Sequence, residues 1–313
     1  MIICQINILR SFIHPKRNMN DCFSLDIQIL GMLLFFTSIT VCKAQKDSIN
    51  FSSAVWEVQE IQNSGIQHYH HHFTDDSLFG ALQNIHFIKV KKEVAKQALA
   101  VLRAGPGKQT TSALALENKA LAAINGSFFN VAQGHSVNFI KMDGIIMDTT
   151  VYDQKQKNLK VAQEGVIAFG TEGVSIVPRK FGERSTWPEG TGFTSAMEAG
   201  PILMLDGEEK KLADTPFNSN RHPRTCVCLT EEEVILLTAD GRSPQAYGLS
   251  LPELTLVLKW LGCKSALNLD GGGSTTMYIM GKGVVNMPSD NKQWDHEGER
   301  AVSNALAIMP FDP

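Results

Sequence analysis

Three consecutive glycines lie between an aspartate and a serine in the segment Asn268-Leu269-Asp270-Gly271-Gly272-Gly273-Ser274-Thr275. Glycine within strand-forming sequence usually marks a bulge, a positive φ or a place where a ligand approaches the backbone. The Asp270 carboxylate, the Ser274 hydroxyl and several backbone amides would then meet at one concave spot. Backbone nests bind anions, and a nearby carboxylate suits hydroxyl recognition or general base catalysis. The segment therefore predicts a sugar or phosphate site, and a tight β-bulge without a ligand is the alternative.

Two arginines and a histidine occur together in Arg221-His222-Pro223-Arg224-Thr225, immediately before an apolar strand. Guanidinium groups bind phosphate in a bidentate manner, so this segment is a candidate phosphate-binding site; a solvated basic turn is the alternative. The segment Asp240-Gly241-Arg242 ends the partner strand of the predicted hairpin. We expect antiparallel pairing to separate it from Arg224 unless the loops fold over the same edge of the sheet, and we interpret it as a turn.

Two further segments carry polar groups at the ends of apolar runs. Asn125-Gly126-Ser127-Phe128-Phe129-Asn130 combines two amides with two aromatic rings, which suits a sugar because amides bind hydroxyls and rings cover the apolar face. An Asn-Gly turn with a packed pair of phenylalanines explains the same residues. Glu198 precedes another predicted strand, and it is interpreted either as a buried functional acid or as a solvated turn residue.

The histidines of His68-Tyr69-His70-His71-His72 resemble a metal site in composition. Neighbouring residues on a strand alternate between its faces, and no carboxylate or cysteine with ligand spacing follows, so we interpret them as surface or strand histidines. The sequence requires no cofactor, and a divalent cation is compatible with it.

Composition excludes some classes of partner. The chain has 313 residues, of which 43% are hydrophobic and 19% charged, and its formal net charge is -3. These values are typical of a globular protein, and the absence of a basic cluster in the sequence argues against a nucleic-acid partner. The expected partner is therefore small or uncharged overall; the family resemblance described below makes it a sugar phosphate or a glycan.

The N-terminus has the pattern of an export signal. Residues 27–36 form an apolar core too short to span a bilayer, and Ala44 provides a small residue before the predicted cleavage. We predict a signal peptide over residues 1–44, with Met19 as the alternative start, followed by a single domain over residues 45–313 that does not span a membrane. The expected location is periplasmic or secreted; a lipid anchor on Cys42 is less favoured because Val41 is bulky.

Three cysteines, Cys226, Cys228 and Cys263, follow the predicted cleavage point. Same-face neighbours on one strand are poorly placed for a disulfide with each other, so we expect buried free thiols.

The remaining pattern predicts an α+β fold, a mostly antiparallel or mixed twisted sheet built from hairpins with a few packed helices. A capping box at Ser250-Leu251-Pro252-Glu253 begins the clearest helix, which Gly262 ends. Further helices are predicted over residues 93–102 and 111–121. Hairpins are predicted for residues 139–147, 166–177, 202–207, 226–237 and 276–285.

Taken together, these segments resemble the phosphodiester glycosidase family, which includes the mammalian mannose 6-phosphate uncovering enzyme and bacterial proteins described as exopolysaccharide-related. The resemblance covers roughly residues 55–313 and depends on the order and number of the motifs. They are the segments at 125–129, 221–225, 240–242 and 268–275 quoted above, together with Ala199-Gly200-Pro201 and a closing strand Arg300-Ala301-Val302-Ser303-Asn304.

The resemblance implies a hydrolase that cleaves the C–O bond of a sugar-1-phosphodiester, releasing the sugar and leaving a phosphomonoester. Because the leaving group is an anion, it needs charge neutralisation more than a proton. Arg224 would hold the phosphate, with Arg221 assisting. Asp270 and Glu198 are the candidates for the carboxylate that serves the anomeric carbon, as base or as nucleophile.

The resemblance also assigns substrate-binding groups. Asn125 and Asn268 would bind hydroxyls, and the sugars of the mammalian enzyme are not transferred to this chain. The residues expected to complete the cradle for phosphate or sugar are Gly271, Gly272, Gly273, Ser274 and Thr275.

Two other functions compete with this one. The first is a non-catalytic protein that binds exopolysaccharide or another glycan. The second is a metal-dependent phosphodiesterase that cuts the P–O bond, which would need clustered carboxylates and histidines; Asp240 and Asp270 are its only central acids in the sequence.

Overall fold

Short strands dominate the computed structural model, which describes residues 45–150, 163–179 and 193–311. A helix α1 covers residues 45–53. The α-helices that follow in the described residues are α2 (Lys92–Ala98), α3 (Thr111–Glu117), α4 (Pro216–Ser219) and α5 (Leu251–Trp260), and a short 3-10 helix covers Gly272–Ser274. The strands are β1 (Glu57–Glu60), β2 (Gln67–Leu78), β3 (Ala81–Lys91), β4 (Leu99–Arg103), β5 (Ala122–Asn125), β6 (Ile140–Met142), β7 (Ile145–Asp148), β8 (Gly165–Gly170), β9 (Gly173–Pro178), β10 (Ser195–Ala199), β11 (Ile202–Leu205), β12 (Glu208–Glu209), β13 (Arg224–Leu229), β14 (Glu233–Ala239), β15 (Ser265–Asn268), β16 (Met277–Ile279), β17 (Gly283–Val284) and β18 (Asn304–Ile308).

The strands form three sheets. The largest has eight strands in the order β1-β2-β3-β14-β13-β15-β11-β12, and the two others have five strands each, in the orders β7-β6-β10-β8-β9 and β17-β16-β5-β18-β4. The pairings described for these sheets are antiparallel. The predicted α+β class is therefore confirmed.

The central strands β13 and β14 of the eight-stranded sheet are buried on both faces, and most of their side chains are apolar. On β13, Val227 packs in one core, whereas Cys226 and Cys228 face the other. The first core also takes residues from the two smaller sheets, such as Ile167 and Leu306. The second core lies under α5, and its members include Leu254, Val257 and Leu258.

Several local predictions are confirmed. The capping box exists: the Ser250 hydroxyl accepts from the Glu253 N–H while a Glu253 carboxylate oxygen accepts from the Ser250 N–H. The five predicted hairpins correspond to the pairs β6/β7, β8/β9, β11/β12, β13/β14 and β16/β17. Strand β15 is central, between β13 and β11, so the Asp270 loop follows a central strand as expected.

Three element boundaries were wrong. The helix predicted over residues 111–121 ends at Glu117. The helix predicted over residues 93–102 ends at Ala98, and Leu99–Arg103 is strand β4 instead, paired with β18. Its side chains alternate between two cores, as those of a strand do, and its partner β18 lies about two hundred residues away, where no local pattern reveals it. The closing strand begins at Asn304; Val302 makes only an isolated bridge with Gln109.

The expectation of free thiols was wrong for two of the three cysteines. Cys228 on β13 and Cys263, just after α5, form a disulfide with a Cα–Cα distance of 5.9 Å. Helix α5 packs on the face of the sheet that carries Cys228. This packing brings Cys263, 35 residues further along the chain, back to strand β13. Cys226 is a buried free thiol, and burial raises its pKa.

Residues 50–313 make up one compact unit. The predicted signal peptide, including Met19, Val41 and Cys42, lies outside the described residues and stays a prediction. None of the helices in the described ranges has the length and apolar character needed to cross a membrane.

Candidate functional site

Asp270 lies where the eight-stranded sheet meets strand β5 of a smaller sheet. Its N–H donates to the Gly126 carbonyl at 3.1 Å, and its own carbonyl accepts from Asn125 Nδ2 at 2.7 Å. Gly126 has no room for a side chain, since a Cβ there would overlap Asn304 and come within 3.0 Å of the Met197 sulfur. The backbone of the candidate catalytic residue is therefore fixed from two sheets.

The Asp270 carboxyl group is half-buried, and its environment perturbs its acidity. Burial raises its pKa to about 6. The Ser274 hydroxyl, the Gly271 N–H at 3.0 Å, and the guanidinium groups of Arg300 and Arg242 act in the opposite direction. A carboxyl with a pKa near neutrality can both hold and accept a proton under physiological conditions.

The glycine loop is covered by two guanidinium groups. Gly272 has φ +63°, and a Cβ added there would lie 2.8 Å from Arg242 Nη2. A Cβ added at Gly273 would lie 2.5 Å from Arg300 Nη2 and would overlap the Asp290 carboxylate. The glycines therefore allow two cationic side chains to approach the backbone beside Asp270.

Most amides of this loop already have protein acceptors. The Gly272 N–H donates to the Pro223 carbonyl at 2.9 Å, and the N–H groups of Ser274 and Thr275 donate to Gly271 and Gly272 carbonyls, each at 3.2 Å. Any attraction for an anion at this loop therefore comes mainly from the guanidinium groups. The predicted substrate-binding roles of Gly271, Gly272, Ser274 and Thr275 stay predictions.

The turn after β14 belongs to the site, contrary to the sequence interpretation. In the β13/β14 hairpin Arg224 pairs with Ala239, because the start of one antiparallel strand faces the end of the next. Asp240-Gly241-Arg242 consequently lies beside the start of β13, and the expected separation was wrong. Arg242 is exposed and adopts φ +61°. Sequence reasoning missed this residue; the antiparallel register alone was sufficient to find it.

Arg300 was also missed as a site residue, although it belongs to a motif of the family. Its Nε donates to the Asp290 carboxylate at 3.0 Å, and its side chain is 30% exposed. Arg300 is thus partly neutralised, whereas Arg242 has no carboxylate partner among the residues that the structure describes.

The two arginines predicted to bind phosphate have protein partners. Arg224 is buried, and its guanidinium donates to the carbonyls of Leu249, Phe217 and Asn220 at 2.8, 2.7 and 3.0 Å. Burial, with help from Arg242, lowers its pKa to about 10. These contacts hold helix α4 against the start of β13.

Arg221 is held at the start of helix α5. Its Nη2 donates to Glu253 Oε1 at 2.6 Å and to the Phe79 carbonyl at 2.6 Å. Glu253 is also the capping-box acid of that helix. The contacts described for Arg221 therefore position α5, and its predicted role in phosphate binding stays a prediction.

Glu198 is fully buried on β10, so it is not a solvated turn residue. Its carboxylate accepts from the Phe139 N–H at 2.9 Å and the Thr150 hydroxyl at 2.6 Å, and it pairs with Arg179 at 2.5 Å. Both carboxylate oxygens of Glu198 therefore have protein partners. Its catalytic role is untested by the geometry.

The two predicted hydroxyl-binding asparagines are buried among protein groups. Asn125 Oδ1 accepts from the Thr225 hydroxyl at 2.7 Å and the Thr276 N–H at 3.2 Å. Asn268 Nδ2 donates to the Gly200 carbonyl at 2.9 Å, while its Oδ1 is buried without a partner in the described ranges. Asn125 in particular acts on the site by holding the Asp270 carbonyl.

Asp240 is a second buried acid near the site. It accepts from Asn286 Nδ2 at 2.7 Å, Asn84 Nδ2 at 2.8 Å and the Met287 N–H at 3.0 Å. Burial raises its pKa to about 6, against the effect of these hydrogen bonds. Asp240 thereby ties the start of the Arg242 turn to the segment that begins at Asn286.

His70 on strand β2 contacts Asn84, which donates to Asp240, and no contact described for the histidines of this strand reaches the Asp270 carboxyl. The ring of His70 stacks on His86 with centroids 4.1 Å apart, and His70 Nε2 lies 2.8 Å from Asn84 Oδ1. Across the described residues, no group of three metal-ligating side chains is arranged to hold an ion.

A cavity of about 230 Å³ lies beside Arg242. One wall is the turn at residues 241–245 and the other is the segment at residues 287–294. Together with the glycine loop, it gives the site a carboxyl group, two guanidinium groups and an adjoining polar cavity.

Solved structures share this fold. The catalytic domain of zebrafish N-acetylglucosamine-1-phosphodiester alpha-N-acetylglucosaminidase, auto-inhibited by its pro-peptide, aligns with a TM-score of 0.62 at 22% identity, covering 83% of this chain and 89% of that one. A hypothetical protein from Synechocystis aligns with a TM-score of 0.58 at 16% identity, covering 82% and 64% of the two chains.

Curated relatives agree over a shorter range. Mouse N-acetylglucosamine-1-phosphodiester alpha-N-acetylglucosaminidase is 27% identical over 186 residues, which is 55% of this chain and 34% of the relative. The SPbeta prophage-derived uncharacterized protein YomE of Bacillus subtilis is 24% identical over 207 residues, which is 64% of this chain and 30% of the relative. The chain thus spans about a third of the length of these relatives. The phosphodiester glycosidase family model matches residues 118–309, more than half of the chain, and the chain therefore belongs to the phosphodiester glycosidase family.

Proposed function

We propose that the chain is an exported hydrolase that cleaves the C–O bond of a sugar-1-phosphodiester. The observation that carries this proposal is the position of the Asp270 carboxyl, whose pKa is about 6, at a glycine loop covered by Arg242 and Arg300. A carboxylate for the anomeric carbon and cations for the phosphate are the two requirements of the reaction.

The reaction balances with these groups. A water oxygen bonds to the anomeric carbon while the bond between that carbon and the phosphate oxygen breaks. The electron pair of the broken bond leaves on the phosphomonoester, and the proton of the water passes to the Asp270 carboxylate. If Asp270 instead bonds to the sugar first and water releases it afterwards, the anomeric configuration is retained rather than inverted, so the product configuration distinguishes the two roles.

Arg242 is the best-placed group for the phosphate. Its guanidinium is exposed and lies over Gly272, next to the loop that begins at Asp270. An arginine in that place neutralises the charge that develops on the leaving phosphate. Arg300 adds a second positive charge from the Gly273 side, reduced by its pairing with Asp290.

The other predicted residues have structural roles around the site in this proposal. The hydrogen bonds described for four predicted site residues go to protein groups: Arg224, Arg221, Asn125 and Asn268. We propose that these residues position the loop and the adjoining helices. Glu198 is neutralised by Arg179, which makes Asp270 the preferred catalytic carboxylate.

Export is supported by one feature besides the N-terminal pattern. Disulfides form and persist mainly in oxidising compartments, and Cys228 and Cys263 form one here. A periplasmic or secreted protein would encounter glycans or envelope sugar phosphates as substrates.

The test uses methyl phosphodiesters of several sugar 1-phosphates, incubated with wild type and with Asp270→Asn. We expect wild type to release free sugar and methyl phosphate, and the variant to lose at least about a hundredfold in kcat/KM. Turnover that disappears on chelation and returns with a divalent cation would support the phosphodiesterase alternative. Saturable glycan binding with no turnover of any diester would support the binding-protein alternative.

A further inference from the structure

Two buried histidines and a buried asparagine form a hydrogen-bonded chain that ends at Asp240. His68 Nε2 lies 3.2 Å from His86 Nδ1, and His86 Nε2 lies 3.3 Å from the amide nitrogen of Asn84. The same nitrogen donates to Asp240 Oδ2 at 2.8 Å. His70 joins the chain from the side, with its Nε2 2.8 Å from Asn84 Oδ1. Strands β2, β3 and β14 bring these side chains together, since β3 pairs with both of the others.

The hydrogen bonds of this chain determine where the ring protons lie. An ionised Asp240 only accepts, so the Asn84 nitrogen donates to it and the Asn84 oxygen faces His70 Nε2, which must carry a proton. The same Asn84 nitrogen faces His86 Nε2, so the proton of His86 lies on Nδ1 and is donated to His68. Both buried rings are then neutral. Burial agrees, since it lowers the pKa of His68 to about 4 and that of His86 well below its ordinary value.

His70 can accept a second proton without losing a hydrogen bond. Its Nδ1 lies 3.3 Å from Glu57 Oε2, while its Nε2 faces the oxygen of Asn84. Both ring nitrogens therefore face acceptors, and only the imidazolium form donates from both. The ring of His70 is partly exposed and stacks on His86, with the planes 8° apart.

Asp240 is the point where this chain meets the candidate site. Its N–H donates to the Asn84 carbonyl at 2.9 Å, so Asn84 holds it by both backbone and side chain. Its carboxylate also accepts from Asn286 Nδ2 and the Met287 N–H. These contacts depend on the charge of Asp240, because an ionised carboxylate accepts more strongly than a neutral one. Arg242 lies two residues further along, in the turn that Asp240 begins.

A positive charge on His70 favours the ionised form of Asp240. Burial raises the pKa of Asp240 to about 6, while its hydrogen bonds and the charge on His70 lower it. The charge on His70 is the weakest of these influences, so its effect should show only where Asp240 is close to titrating. Outside the chain, the titratable groups that face or act on it are Glu57 from β1, His72 from β2, Lys282 between β16 and β17, and His296 after β17.

We propose that His70 is a positioning residue for the reaction: by its hydrogen bond to Asn84 and by its charge when protonated, it keeps Asp240 ionised and so fixes the turn that carries Arg242. His70 acts through these residues and does not touch the substrate. The inference rests on the proposed function for the role of Arg242. The arrangement of protons along the chain is independent of that function.

The kinetic test replaces His70 in two ways and uses the methyl phosphodiester that wild type hydrolyses fastest. His70→Gln keeps an N–H donor without the charge, and His70→Leu keeps neither. We expect kcat/KM of His70→Gln to stay within about twofold of wild type at pH 8 and to fall about threefold below it at pH 5.5, where Asp240 is titrating. His70→Leu should fall at least about fivefold at both pH values, because the buried Asn84 loses its partner.

His71→Gln is the matched control, since it replaces a histidine of the same strand outside the chain. The Nδ1 of His71 contacts the Val55 carbonyl, and its ring packs against Phe73. This variant should match wild type at both pH values. An equal loss in His70→Gln at pH 8 and pH 5.5 would indicate a merely structural role and overturns the inference. Full activity of His70→Gln at pH 5.5, or of His70→Leu at either pH, also overturns it.

Failure of the proposed function has a different signature, because wild type then hydrolyses no diester. Nitrogen-15 NMR spectra of the histidine rings test the chain without activity. At pH 6 we expect His68 and His86 to be neutral with the proton on Nδ1, and the Met287 backbone amide to titrate at a lower pH in wild type than in His70→Gln. This pattern without turnover supports the coupling of His70 to Asp240 and rejects the proposed function alone. A proton on His86 Nε2, or equal titration of the Met287 amide in both proteins, overturns the inference.

Discussion

The guanidinium of Arg242 lies against Gly272, so close that a Cβ added to this glycine would come within 2.8 Å of Nη2. The two residues are 30 positions apart in the sequence. Their contact joins the end of the β13/β14 hairpin to the loop after β15, and it places a positive charge beside Asp270.

Gly272→Ala should disable the site because the new methyl group displaces Arg242 and strains a residue at φ +63°. We expect kcat/KM to fall at least about tenfold while the protein still folds. Gly207→Ala is the matched control: this glycine has φ +87° and no atom within 4 Å of an added Cβ. Equal activity losses in the two variants would show that strain alone, and not displacement of Arg242, causes the effect.

Arg242→Ala should lower kcat by about a hundredfold to a thousandfold, the range observed when one charge-stabilising donor is removed from an active site. Arg242→Lys keeps the charge without the planar fork and should recover part of the loss. Because Arg242 is exposed, the melting temperature should change little. Steady-state kinetics and thermal unfolding of the same preparations check both parts, and full activity in the alanine variant would remove Arg242 from the mechanism.

The pKa of Asp270 predicts a pH dependence of activity. If the ionised carboxylate is the reactive form, kcat/KM rises with pH through an inflection near 6, the value to which burial raises this pKa. The dependence of kcat/KM on pH between 4 and 8, measured with a phosphodiester whose donor sugar is uncharged, checks this. A profile flat across pH 6 would mean that another group accepts the proton.

The same pKa predicts a pH dependence of stability. A carboxyl whose pKa is raised from 3.8 to about 6 in the folded state binds its proton more tightly there than in the unfolded chain. Its contribution to the free energy of unfolding therefore falls as the pH rises through this interval. Asp270→Asn should therefore be more stable than wild type at pH 8, by roughly 2 kcal/mol after allowance for solvent at the half-exposed group, and about equal at pH 3. Chemical denaturation at both pH values measures the difference, and a variant less stable at pH 8 contradicts the assignment.

Glu198 and Asp270 should respond in opposite ways to loss of charge. Glu198→Gln removes the negative charge from a buried ion pair with Arg179, which is expected to lower the free energy of unfolding by about 3–5 kcal/mol. Activity measured below the melting temperature should change less than it does in Asp270→Asn. Denaturant titration and kinetics on both variants test this; a stable but inactive Glu198→Gln protein would make Glu198 the catalytic carboxylate.

Local patterns were sufficient for much of the fold. The capping box at Ser250, the β13/β14 hairpin and the position of Asp270 after a central strand follow from periodicity and turn residues. Strand β4 could not be predicted in this way, because its sequence fits a continued helix equally well and its pairing with β18 joins distant parts of the chain. The Cys228–Cys263 disulfide likewise depends on the packing of α5 against the sheet.

The candidate site was predictable in its location but not in its chemistry. Asp270 and the glycines signal an unusual backbone in the sequence itself. Which arginine faces them depends on side-chain direction: Arg224 turns toward three backbone carbonyls, while Arg242 turns toward Gly272. Both residues are arginines, so only the tertiary contacts determine which of the two side chains faces the glycine loop.

The central claim is C–O cleavage by Asp270, and hydrolysis in oxygen-18 water tests it most directly. Wild type and Asp270→Asn are incubated with the methyl phosphodiester, and the label is located in the products by mass spectrometry. The account predicts heavy oxygen on the released sugar in wild type and almost no product from the variant. Heavy oxygen on the phosphate, or undiminished turnover by Asp270→Asn, would contradict it.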